Sequence, residues 1–196
     1  MAERFGAVQK RSERQIEKLA ASIREGLGVG PTDRVAMRPI LDHYLDDIVP
    51  DAYLAVESDY DMGGAEGRTD WLDPVITLSA STYAKLRLSD PRARMTAAHE
   101  LGHLLMHTRQ PVFHYRTKSH DRRVDPEWQA DTFAAAFLMP RHAFQKMRTV
   151  RQAMKAFGVS RGGALVRARN LNIQLVDDLV REISAKKKGH SHSRTP

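Results

Sequence analysis

The sequence predicts an α+β fold: a small mixed or antiparallel sheet, a helix beside it that carries the chemistry, and a helical C-terminal region. Three observations predict this. Short strand-like runs at 52–58, 68–72 and 75–81 are separated by stretches rich in Asp, Gly and Pro. Two helices with their own start signals follow, over 91–107 and 126–139. Beyond residue 149 only helical patterns remain.

Ile16, Leu19, Ala20, Ile23 and Leu27 recur at helical spacing, and Gly28 and Gly30 offer a stop. Thr32 or Asp33 could cap a second helix toward Asp47, with a break expected at Pro39, because proline removes a backbone donor. Ala52–Ser58 reads as a strand and residues 59–67 as a loop. Arg68–Leu72 and Val75–Ser81 read as two further strands either side of Asp73-Pro74. Val75–Ser81 is expected to be an exposed edge, where an extended peptide could add as another strand.

Asp90 is a good N-cap and Pro91 suits the first helical position, so a helix is predicted over 91–107. Inside it stands His99-Glu100-Leu101-Gly102-His103. Histidines four apart project from one helix face, one turn above each other, and can reach one ion. Glu100 lies where its carboxylate reaches a metal-bound water without ligating the metal. With nine His in 196 residues, and as many Glu, roughly 0.02 such patterns arise by chance. The flanks Thr96, Ala97, Ala98 and Leu104, Leu105, Met106 predict a buried helix, where uncompensated charge is costly and metal ligation relieves the cost. Gly102 weakens the helix but would let another backbone approach it.

A catalytic zinc needs a third protein ligand. The candidates are His107, His114, His120, Asp121, Asp125, Glu127 and Asp131. Asp125-Pro126 starts another helix, on which Glu127 and Asp131 share a face beside Ala130, Ala134, Ala135 and Leu138. A carboxylate on that small apolar face suits ligation. A second acid one turn on suits accepting a hydrogen bond from a ligand imidazole and fixing its tautomer. The segment 108–124 is polar and basic, and His114 and Tyr115 in it are candidates for stabilising an oxyanion.

Val150–Phe157, a break at Gly158-Val159 and a helix capped by Ser160 through Arg169 outline a helix-turn-helix, with Arg161, Arg167 and Arg169 on its outside. Gly162-Gly163 is poor filling for a recognition helix, so packing beside the core or gripping a protein substrate is favoured over DNA contact. Leu175, Val176, Leu179, Val180 and Ile183 form a last amphipathic pattern, and residues 186–196 read as a disordered basic tail.

The run H-E-L-G-H-L-L-M-H, followed by E-W-Q-A-D-T-F-A-A-A-F-L-M-P, resembles the ImmA/IrrE family of metallopeptidases. In the second run the family's acid, Ala-Asp, Phe-Ala and Leu-Met-Pro places are filled by Glu127, Ala130-Asp131, Phe133-Ala134 and Leu138-Met139-Pro140. The likeness is specific over 95–140, looser over 12–90 and weakest after 150. It implies a zincin-like core related to the thermolysin-type gluzincins, over residues 1–148, followed by a helical region at 149–185. It also implies that His99, His103 and Glu127 hold a metal, that Glu100 is the catalytic base, and that Asp131 orients His99. The implied cofactor is zinc, with manganese or iron compatible with the same ligands. The implied substrate is a protein, in this family often a DNA-binding repressor. The alternative is a metal-containing transcription regulator that binds DNA through residues 150–170 without proteolysis.

Composition bounds the rest. With 41% apolar residues the chain can bury a core. No run approaches the roughly 18 apolar residues that cross a bilayer, so no membrane partner is expected. Met1 to Arg14 lacks a signal-peptide core, and a cytoplasmic protein is expected. The absence of cysteine excludes disulfides and thiolate zinc sites. A net charge of +7 is read as a solvated basic surface rather than a nucleic-acid footprint.

Overall fold

The helix bearing the histidine motif starts where Asp90 accepts hydrogen bonds from the amides of Arg92 and Ala93, with Pro91 in its first turn. It is one element of a mixed α/β fold, a computed structural model of which describes residues 8–109 and 121–178. In chain order the elements are α1 (Glu13–Gly26), α2 (Met37–His43), α3 (Leu45–Ile48), β1 (Tyr53–Glu57), β2 (Gly67–Thr69), β3 (Val75–Ser79), α4 (Ala80–Arg87), α5 (Pro91–Met106), α6 (Pro126–Leu138), α7 (Arg141–Phe144), α8 (Val150–Phe157) and α9 (Arg161–Asn170). A short 3-10 turn, Arg122–Val124, precedes α6.

The sheet has the order β1-β3-β2, with β1 parallel and β2 antiparallel to β3. The expectation that Val75–Ser81 forms an exposed edge is therefore wrong. β3 is the central strand, Ile76 and Leu78 on it are fully buried, and residue 80 already begins α4. Thr77 and Ser79, which alternate with Ile76 and Leu78, are buried as well, so both faces of the strand are covered. The edge facing α5 is the three-residue β2.

α1 opens on a capping box between Ser12 and Gln15. Neither Thr32 nor Asp33 caps the next helix: α2 begins after Ala36 with no side-chain cap. Pro39 sits in its first turn, where a missing amide hydrogen costs nothing, so the break falls at Tyr44 instead. Leu175–Val176 is not helical, because Val176 bridges to Thr149. The rest of that predicted helix and the tail lie outside the described residues.

One apolar core runs from Ile16 on α1 through Leu101 and Leu104 on α5 and Phe133 and Phe137 on α6 to Phe157, Ala164 and Ala168 on α8 and α9. Each large side chain buried in it contributes about 1.5–3 kcal/mol. Three buried arginines fasten this core through backbone carbonyls. Arg24 donates to Phe137 O at 2.7 Å and Asp33 O at 2.8 Å. Arg94, on α5, donates to Phe157 O at 2.7 Å, to Gly158 O and to Val35 O at 2.9 Å. Gly158 ends α8 in the left-handed region (φ 61°), which presents those carbonyls to Arg94. Arg167, expected on the outside, is 2% exposed; it donates to Met139 O at 3.0 Å and pairs with Glu17 at 2.8 Å. Burial lowers the pKa of all three, that of Arg94 to about 10.

Candidate metal centre

Helical periodicity sets His99 and His103 on the face of α5 that meets α6, and the cap at Asp125 sets Glu127 in the first turn of α6. Gly102 allows the approach. A Cβ there would lie 3.2 Å from Ala130 Cα and 3.1 Å from the Phe133 ring. The two helices bring three donors into one triangle. His99 Nε2 is 2.9 Å from His103 Nε2, while Glu127 oxygens lie 3.2 Å from the first and 3.3 Å from the second. Two ligands of a tetrahedral zinc at about 2.0–2.1 Å stand about 3.3 Å apart. Two ring nitrogens and a carboxylate at these separations therefore fit a divalent cation. Among the described residues this is the grouping of three such side chains that could hold one.

The electrostatics follow from the close approach of the three donors. Glu127 is held well below the usual carboxylate range by its hydrogen bonds with His103 and His99. Burial works to lower the His99 pKa, but hydrogen bonds with Asp131 and Glu127 outweigh it and carry the value up to about 10. Asp131 Oδ1 accepts from His99 Nδ1 at 2.9 Å, which leaves Nε2 turned toward the triangle.

Glu100 is 6% exposed and lies beside the triangle under the sheet edge. Residues two apart on a strand share a face, so Gly67 and Thr69 of β2 both meet it. Thr69 Oγ1 lies 2.8 Å from Glu100 Oε2, and a Cβ on Gly67 would stand 2.9 Å from Glu100 Cγ. Burial raises the Glu100 pKa, the direction that makes a carboxylate a better proton acceptor at neutral pH.

The other candidate ligands are placed elsewhere. Asp125 caps α6, and Asp121 caps the 3-10 turn and pairs with Arg123 and Lys10. His114, Tyr115 and His120 lie outside the described residues. His107 continues the face of His99 and His103 by one more turn, but lies behind His103, with Nδ1 2.9 Å from His103 Nδ1. Its other nitrogen is 3.2 Å from Gln129 Oε1, and Trp71 stacks on its ring at 5.5 Å. Burial lowers its pKa to about 4. Sequence reasoning missed Gly67, Thr69, Trp71 and Gln129. The spacing 99, 103, 107 was the signal available for His107.

Residues 74–169, from the end of the sheet through α9, match the peptidase family model described as the IrrE N-terminal-like domain. No curated protein matches the chain.

Proposed function

The chain belongs to the ImmA/IrrE family of metallopeptidases, and from that premise we propose that it is a zinc-dependent endopeptidase with a zincin-like core, cutting a regulatory protein such as a transcriptional repressor. The observation that carries the proposal is the convergence of His99, His103 and Glu127 from two helices, with the buried Glu100 beside them. His99, His103 and Glu127 would hold the cation. When bound it would supply Lewis acidity, polarising the scissile carbonyl and acidifying a water. Glu100 takes the proton of the attacking water and passes it to the leaving amine. Thr69 and Gly67 hold Glu100 in place from above. Asp131 keeps the Nδ1 proton of His99 on the side away from the cleft. The edge of β2 suits an extended substrate backbone, which would add there as a strand.

Two histidines and a carboxylate suit zinc, and the same donors accept manganese or iron. Residues 1–148 would form the peptidase unit and 149–185 its helical companion. No helix among the described residues is long and apolar enough to cross a membrane; a cytoplasmic location is part of the proposal. The alternative, DNA contact through residues 150–170, draws little support. Arg167 is buried on Met139 and Glu17, and Arg161 is paired with Asp177.

The test is incubation of the purified protein with regulators encoded near its gene, with and without chelator, followed by mass spectrometry of the fragments. Chelator-sensitive cleavage at a defined bond is expected. Intact regulators under both conditions, together with a gel shift on the protein's own promoter, would favour the DNA-binding alternative.

A further inference from the structure

We infer that His107 and Gln129 form a chain of hydrogen bonds with fixed polarity, which places the proton of His103 on Nδ1 and leaves its Nε2 lone pair bare for a metal. The inference rests on the metal centre proposed above.

The polarity is set at the far end. Gln129 is fully buried, and its Nε2 donates to the backbone oxygens of Gln9 at 2.9 Å and Arg123 at 2.7 Å. Both amide hydrogens are thereby committed. A flipped amide would set its oxygen against two carbonyl oxygens, so the orientation has one solution. Oε1 then faces His107 Nε2 at 3.2 Å and can only accept, so Nε2 carries a hydrogen.

His107 is 1% exposed, and Trp71 lies against its ring with an interplanar angle of 15°. A neutral imidazole has one proton. With that proton on Nε2, Nδ1 of His107 is an acceptor, and the group facing it at 2.9 Å is Nδ1 of His103. His103 must donate there. As a metal ligand His103 is neutral, so its one proton is then used, and Nε2 keeps a lone pair for a cation held between it, His99 Nε2 and Glu127. His99 obtains the same result from a carboxylate, Asp131, whose side chain is 73% exposed. The second ligand obtains it from His107 and Gln129 in the interior. His107 and Gln129 are positioning residues: they touch neither the cation nor a substrate.

Two measurements decide this. In histidine-labelled wild-type protein, two-bond proton–nitrogen correlation spectra of the zinc-loaded form should show His103 protonated on Nδ1 and His107 on Nε2. Zinc affinity, read by competition with a chromophoric chelator, should weaken about 10–100-fold in His107→Phe, the usual effect of losing a group that orients a ligand. It should return to within about threefold of wild type in His107→Asn, whose side-chain oxygen falls near the place of Nδ1 and accepts the same hydrogen. A zinc-loaded spectrum with His107 protonated on Nδ1, or wild-type affinity in His107→Phe, overturns the inference while leaving the metal centre standing. Wild-type protein that takes up no zinc removes the metal centre itself. If His107→Phe does not fold, the wild-type spectrum alone decides between the two proton positions.

Discussion

Thr69 reaches Glu100 twice: its hydroxyl lies 2.8 Å from Oε2 of the side chain and 3.0 Å from the backbone oxygen of the same residue. One β-branched residue on the shortest strand thus ties the sheet edge to the α5 turn that carries the proposed base. The stiffness of its χ1 makes it a better brace than serine would be.

Glu100→Gln should retain zinc at wild-type stoichiometry and lose about 10²–10⁴-fold in kcat, the range expected when general-base catalysis is removed. Elemental analysis and a cleavage assay on one preparation check both halves. Cleavage at the wild-type rate would show that another group takes the proton.

Gly67→Ala should act on the same base from the other side. The added methyl would stand 2.9 Å from Glu100 Cγ and 3.1 Å from Oε1, closer than the two can share without movement. Zinc content should be unchanged and kcat should fall at least tenfold, since small misplacements at a reacting centre are costly. An unchanged kcat would mean that Glu100 moves aside without consequence.

Glu127→Ala should lower zinc occupancy after dialysis against a weak chelator, because one side of the triangle is lost. Gly102→Ala should lower it less directly. Its methyl would meet Ala130 at 3.2 Å, and overpacking between the helices costs about 1–3 kcal/mol. The two variants act on the metal-free form by different routes, Gly102→Ala through the packing of α5 on α6 and Glu127→Ala through the lost pairing with His99 and His103, so only the effect of Glu127→Ala on its melting temperature should depend on pH.

Metal-free protein should lose stability as pH rises. The folded-state pKa of His99 is raised to about 10, above its ordinary 6.5. Its stabilising contribution is therefore complete below about 6.5 and fades as pH climbs through about 10. Melting temperatures of chelator-treated protein should fall by several degrees across that window. Zinc uptake displaces the same proton, so apparent zinc affinity should rise with pH over it. A flat melting profile in the metal-free protein would show that His99 is not held protonated there.

The two helices of the candidate metal centre were legible because their signals are local. Asp90-Pro91 and Asp125-Pro126 announce helix starts within two residues, and the four-residue spacing of His99 and His103 is itself the geometry of one helix face. The packing role of Gly102 was legible for the same reason. What could not be read was decided by pairing across distance. Val75–Ser79 became a central strand because β1 lies parallel to it on one side and β2 antiparallel on the other, and nothing in its own five residues carries that order. Arg167 looked like a surface cation until Met139 and Glu17, far away in sequence, were found to receive it. Gln129 sits between two predicted site residues and gives no sign of its own, because its partners are backbone atoms of Gln9 and Arg123.

The guanidinium of Arg94 carries one further implication. It grows from the helix that bears the histidines and is spent on the carbonyls that end α8. Cutting the chain ahead of residue 150 would strand a cation in a greasy interior, so the C-terminal helices cannot be trimmed away as a detachable module.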